Sequence, residues 1–175
     1  VMAVCARLVG QSADAARYAA LSGKIRQAFN QSFFDPTNNT YGSQTANALA
    51  LDFGIVPADQ RQAVADNLAH AVTEKDAGRL NAGIFGARWI FEALSDGGHD
   101  DVVFGMLAAT NWPSYGYMLN QGATTIWEQL SAVRPGKSLP RHSHNHPMQA
   151  GFDAWFYSGV AGLQPDPEAP AYKHI

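Results

Sequence analysis

Between residues 12 and 33 the apolar side chains Tyr18, Leu21, Ile25 and Phe29 recur at spacings of three and four, the period of one face of an α-helix. Ser12 is the expected N-cap, with Asp14 in the first turn. The run F-F-D-P-T-N-N-T-Y-G closes this helix with Pro36, the Asn38-Asn39 pair and Gly42. A shorter helix is predicted from Gln44 to Phe53, ending at Gly54. Pro57 opens a third, where a missing N–H costs little. Its buried stripe is Val64, Leu68 and Val72, and Asp59, Arg61, Asp66 and Lys75 take the other face. The fourth, 82–94, is apolar almost all round, with Ile84, Phe85, Trp89, Ile90 and Phe91, so cover on both sides is expected. Gly97-Gly98 separates it from a fifth, Asp100 to about Ala109. A last helix is predicted from Pro147 to Val160.

The segment 111–146 has no clear period, and a loop of that length inside a compact domain is usually functional. After Gly162 the stretch L-Q-P-D-P-E-A-P-A-Y-K-H-I has turn residues and then the look of a chain entering a β-strand. The pattern is therefore all-α, with helical hairpins over 1–162 and a linker toward a β region over 163–175. Hairpins of this kind either stack as a solenoid or close into a toroid. The opening V-M-A-V-C-A-R-L-V-G lacks the basic leading region of a signal peptide and reads as a helix cut in mid-course, so the chain is expected to be a piece of something longer.

Composition narrows the possible partners. The chain has 175 residues, and 46% hydrophobic content is ample for a core. Twelve Lys plus Arg against 15 Asp plus Glu give a net charge of -3 with no basic stripe. That argues against a nucleic acid or an anionic membrane, either of which needs clustered positive charge. Cys5 is the sole cysteine, which rules out an intrachain disulfide and a thiolate cluster. The longest apolar stretches, such as 84–91 with Arg88 inside it, fall well short of the roughly 20 residues that span a bilayer. The compartment stays open, cytoplasmic or periplasmic.

Three groups of residues could carry chemistry. Glu128 follows Ile126 and Trp127, a setting that can tune a carboxyl for acid or base work, or simply pair it with a neighbour. Trp112, Tyr115 and Tyr117 lie close together on a segment with Pro and Gly, where aromatics can stack on a sugar ring or plug a core. In R-H-S-H-N-H, His142, His144 and His146 alternate; on a strand they would share a face and suit zinc. The Ser, Pro and Gly-rich context disfavours a strand. The expectation is ordered histidines bonding to backbone or ligand with Asn145 assisting, and no metal or cofactor.

Read together, Y-G-Y-M-L-N-Q-G-A-T-T-I-W-E, then S-H-N-H, A-W-F-Y-S-G-V-A-G-L-Q-P-D and A-Y-K-H-I resemble the bacterial α-L-rhamnosidases, in which an (α/α)6 toroid precedes a C-terminal β-sandwich. The resemblance covers nearly the whole chain and is most specific from Trp112 to Ile175. It implies that Glu128 is the general base of an inverting hydrolysis and that His146, beside Asn145, contacts rhamnose. It also implies a rhamnose-containing carbohydrate as partner. Trp112, Tyr115 and Tyr117 are expected to form a wall of the sugar pocket, with Trp127 a further expected sugar-binding residue, although the resemblance assigns none of them a particular contact. As a base Glu128 must stay ionised, so bonds from loop amides or the Thr124 and Thr125 hydroxyls are expected.

An inverting glycosidase needs two carboxyl groups roughly 6.5–9.5 Å apart. The acidic motif that holds the family's general acid is missing: Asp52, Asp96, Asp100, Asp101 and Asp153 all lack its surroundings. A toroid of six hairpins also needs twelve helices, about twice the number the pattern predicts. A partial catalytic domain is expected, completed by the rest of the toroid or by a second copy of the chain. Two alternatives are another toroidal glycosidase or lyase, and a non-catalytic sugar-binding or interaction module.

Overall fold

A computed structural model describes residues 1–131, 136, 142–164 and 166. Among these every regular element is helical, and strand-like pairing is confined to one isolated bridge between Asp35 and Thr40. The strand expected at the end of 163–175 lies outside the described residues.

Helices α1 (Met2–Leu8) and α2 (Ser12–Phe33) pack on each other. Gln11 occupies the N-cap position of α2 without a side-chain bond, one residue before the expected Ser12. No residue of α2 is buried, and its predicted stripe is only partly covered, with Leu21 and Ile25 exposed. The helix stops where Asp35 gathers its turn: Oδ1 accepts from the Thr37 and Asn38 amides and Oδ2 from the Asn38 side chain. These bonds, that of the Asn38 side chain foremost, hold the Asp35 carboxyl below its ordinary range.

Helix α3 (Gln44–Asp52) starts at Ser43, whose hydroxyl accepts from the Ala46 amide at 3.1 Å. It ends as expected at Gly54, in the left-handed region at φ 60°. A 3-10 turn (Ala58–Gln60) leads into α4 (Arg61–His70), which continues as a π turn over Ala71–Lys75. Val64, Leu68 and Val72 are fully buried, as their spacing predicts.

The predicted fourth helix is broken. Helix α5 (Gly83–Gly86) and α6 (Ile90–Asp96) are separated by a turn at 87–89, where Gly151 closes onto the backbone of Ala87 and Arg88. Cover on both sides is realised only in α6, where Ile90 and Phe91 are fully buried. Phe85 is exposed. Helix α7 (Asp100–Ala108) follows as expected. Helix α8 (Tyr115–Asn120), capped by the Ser114 hydroxyl accepting from the Tyr117 amide at 3.0 Å, falls inside the segment without a period. The final helical run changes hydrogen-bond register twice: a 3-10 turn (Pro147–Ala150), α9 (Phe152–Trp155) and a π turn (Phe156–Val160).

The core lies where α3, α4, α6, α7 and α9 meet, around Leu51, Leu68, Phe91, Leu94, Val103 and Trp155. Each such side chain contributes about 1.5–3 kcal/mol on burial. No described helix is long and apolar enough to cross a membrane.

Candidate active site

The site is built around the segment after α8. Trp127 is buried; its amide donates to the Met118 sulfur of α8 at 3.4 Å, and its ring stacks on His144 at 4.7 Å. Backbone bonds tie the two loop segments together: the His146 amide donates to the Ile126 carbonyl at 2.8 Å, and the Glu128 amide to the Ser143 carbonyl at 3.0 Å. The Thr125 hydroxyl donates to the His144 carbonyl. It therefore braces the loop instead of bonding to the Glu128 carboxylate as expected. Among the described residues the carboxylate is met by one loop amide, that of Ser143, donating to Oε2 at 3.2 Å.

Gln149 fixes Glu128 from below. It is buried, and its side-chain amide donates to the Glu128 carbonyl at 2.8 Å. The Gln149 carbonyl in turn accepts from the Tyr115 hydroxyl at 2.5 Å. Tyr115 is packed edge-on against Phe152, and its burial pushes the phenol above its ordinary pKa. A chain of contacts thus runs from the core through Tyr115 and Gln149 to the backbone of Glu128.

Glu128 and Trp112 line a cavity of about 760 Å³, within the range of ligand pockets, roughly 300–1,000 Å³. Pro113, Leu130 and Gln149 complete that wall. Other walls come from remote sequence: Thr45 of α3, the stretch from Lys75 to Ala82, and Ile84 and Phe85 of α5. The second carboxylate of the cavity is Asp76. Its oxygens accept from Gln44 at 2.8 Å and Asn81 at 3.0 Å, so it anchors the loop between the π turn and α5.

The expected site residues divide. Glu128 and Trp112 share the cavity. Tyr115 and Trp127 do not line it: their rings are buried in the core, where the Tyr115 hydroxyl donates to the Gln149 carbonyl and the Trp127 ring stacks on His144. Tyr117 and His146 are half-buried and Asn145 is exposed, and none of the three reaches the cavity lining. The Asn145 amide donates to the Ser143 hydroxyl at 3.2 Å, while Nδ1 of His146 is buried without a partner among the described residues. His142, His144 and His146 form no metal-holding group among the described residues.

The aspartates set aside as general acids lie elsewhere. Asp52 sits near Arg88, Asp96 and Arg61; desolvation pushes its carboxyl up and Arg88 partly offsets this. Asp100 accepts from the Ser95 hydroxyl at 2.5 Å. The sequence reading missed Gln149, Thr45, Lys75 and Arg79. The one local signal was a Gln placed among apolar neighbours in P-M-Q-A-G.

Packed helical hairpins bordering a cavity lined by Glu128 and Trp112 agree with the class that the family match shows, the helical-hairpin glycosidases. More specifically, the chain belongs to the family of the bacterial alpha-L-rhamnosidase six-hairpin glycosidase domain, which matches residues 1–160. An alpha-L-rhamnosidase of Formosa agariphila is 32% identical over 100% of this chain and 19% of its own length. The crystal structure of the Streptomyces avermitilis alpha-L-rhamnosidase complexed with L-rhamnose superposes with a TM-score of 0.84 at 32% identity, covering 93% of this chain and 16% of that one. The alpha-L-rhamnosidase of Dictyoglumus thermophilum gives 0.77 at 35% identity, over 89% of this chain and 18% of that one. The chain therefore spans less than a fifth of the length of each of these relatives.

Proposed function

We propose that this chain supplies the base-bearing part of a glycoside hydrolase that removes terminal α-L-rhamnose with inversion, and that Glu128 activates the attacking water. The observation that carries the reading is the placement of Glu128. Glu128 and Trp112 both line the cavity, and the Glu128 backbone is held by Ser143 and Gln149. A base must be positioned before its proton affinity matters, and Glu128 is tied at its amide, its carbonyl and one carboxylate oxygen. The Trp112 ring suits the apolar face and methyl group of a 6-deoxy sugar. His146 and Asn145 remain proposed sugar contacts by family resemblance, and they reach the sugar only if the loop bearing them turns toward it.

The general acid and the rest of the toroid are supplied by a longer polypeptide, with the helical domain ending near residue 162. The share of each relative that the chain spans supports this, as does the exposed apolar stripe of α2. The test is Glu128→Gln in that longer protein, assayed on an aryl α-L-rhamnoside. Loss of a general base lowers kcat by about 10²–10⁴-fold, and NMR of the unaltered enzyme should detect the β-anomer of rhamnose first. Initial α-anomer would refute inversion. An active Glu128→Gln enzyme would refute the assignment of the base, and rhamnose release by the 175-residue chain alone would refute the need for a partner.

A further inference from the structure

We propose that Gln44 is a positioning residue: from the first turn of α3 it holds the stretch 76–82 as a wall of the cavity that Glu128 also lines, and so sets the affinity for substrate. This deepens the reading of that cavity as the place of hydrolysis and rests on it.

Four polar side chains are buried among the described residues, Gln44, Asn47, Ser114 and Gln149. Burying a polar group is costly unless its donors and acceptors are met, so the partners of each show which part of the chain it fixes. Ser114 caps α8, and Asn47 serves the turn at Thr40 and Tyr41. The two glutamines instead reach residues that line the cavity. Gln149 takes the Glu128 carbonyl. The side-chain nitrogen of Gln44 donates to the Asp76 carboxylate at 2.8 Å and to the Arg79 carbonyl at 3.1 Å, and its oxygen accepts from the Asn81 amide at 2.8 Å.

The stretch so held has no regular element of its own. It follows the π turn over Ala71–Lys75 and bends through the left-handed region at Ala77 and Gly78, with φ 52° and 76°. An alanine there is strained, and such a conformation persists where the surroundings impose it. The start of α3 imposes it here. Beside the three bonds of Gln44, the Thr45 hydroxyl donates to the Ala82 carbonyl. Gly86 of α5 comes so near that an added Cβ would lie 2.8 Å from the Thr45 hydroxyl oxygen. Two adjacent residues of α3 thus fix Asp76, Arg79, Asn81 and Ala82, all of which line the cavity.

The consequence is kinetic. This wall carries none of the groups assigned to the hydrolysis, because the proposed base stands on the segment after α8, held by Ser143 and Gln149. Contacts from such a wall hold substrate and transition state alike, and their loss raises KM with kcat nearly unchanged.

The test uses the full-length protein. In Gln44→Glu a carboxylate faces Asp76, and the donor to the Arg79 carbonyl is gone. KM for an aryl α-L-rhamnoside should rise about tenfold, the scale of one lost bond to a charged group, with kcat within about twofold of the parent. Adding Asp76→Asn returns the bond with donor and acceptor exchanged, and KM should recover in part. A role in stability alone would move the melting point and leave both kinetic constants in place. Gly78→Ala is the second variant: an added Cβ meets nothing within 4 Å, so only the left-handed turn is strained. It should raise KM in the same direction, and it decides the matter if Gln44→Glu does not fold.

Calorimetric binding of L-rhamnose separates this role from that of Glu128. Weaker binding in Gln44→Glu supports the wall even where Glu128→Gln stays active, an outcome that would count against the base alone. A parental KM in every variant that folds, a fall in kcat with KM unchanged, or no recovery in the double variant would overturn the proposal.

Discussion

One substitution made at two glycines should change stability in opposite directions. At Gly151 an added Cβ would lie 2.2 Å from the Ala87 carbonyl oxygen, 2.5 Å from Arg88 Cα and 2.9 Å from the Ala87 carbonyl carbon. Non-bonded carbons sit at about 3.5–4.0 Å, so one backbone must retreat by roughly 1 Å. No flexible side chain is available to yield, because all three neighbours are main-chain atoms. Overpacking costs about 1–3 kcal/mol and occasionally more, and the rigid neighbours place Gly151→Ala at about 3 kcal/mol. At Gly105, within α7, an added Cβ meets nothing within 4 Å. There the gain is that of alanine over glycine inside a helix, about 0.5–1 kcal/mol.

With a midpoint shift of roughly 2–4 °C per kcal/mol for a domain of this size, calorimetry should show Gly151→Ala melting about 6–12 °C lower. The same scale puts Gly105→Ala about 1–4 °C higher. Gly151 also precedes α9 and follows Gln149, so its displacement should loosen the hold on Glu128 and lower kcat along with stability. A Gly151→Ala protein that melts within a degree of the parent would refute the backbone contact. A Gly105→Ala protein that melts lower would refute the open surface assigned to α7.

Other outcomes follow from the same contacts. Tyr115→Phe removes the hydroxyl that donates to Gln149 and leaves a buried carbonyl unpaired, at a cost of about 1–3 kcal/mol; an unchanged urea midpoint would contradict the bond. Asp52 has a folded-state pKa raised by desolvation, so its ionised form burdens the native state above that pKa, and the burden vanishes below the unfolded value of about 3.9. Asp52→Asn should therefore raise stability at pH 7 and make no difference below about pH 3. Equal gains at both pH values in paired urea melts would refute the desolvation. The loss of kcat in Glu128→Gln and the β-anomer as first product of the unaltered enzyme remain the direct tests of function.

Much of this molecule is legible in its sequence wherever the deciding contacts are local. Spacings of three and four residues place the buried stripe Val64, Leu68 and Val72, and the conformational freedom of glycine marks the end of α3 at Gly54. The run ending in W-E singles out Glu128 because an acid among apolar neighbours is visible in one line of text, and the same run carries the family resemblance that the comparisons bear out. Tertiary structure decided the rest. The fourth helix is split at 87–89 where Gly151, more than 60 residues later in sequence, closes onto it. Tyr115 and Trp127, as suited by composition to a sugar pocket as Trp112, are drawn into the core, where the Tyr115 hydroxyl meets the Gln149 carbonyl and the Trp127 ring stacks on His144. Arg79 and Lys75 reach the cavity of Glu128 only because the chain brings the stretch from Lys75 to Ala82 against the segment after α8. Helical period and turn chemistry act over a few residues and can be read along the chain. Which side chain fills the core and which faces a ligand depends on partners that only the folded chain brings together.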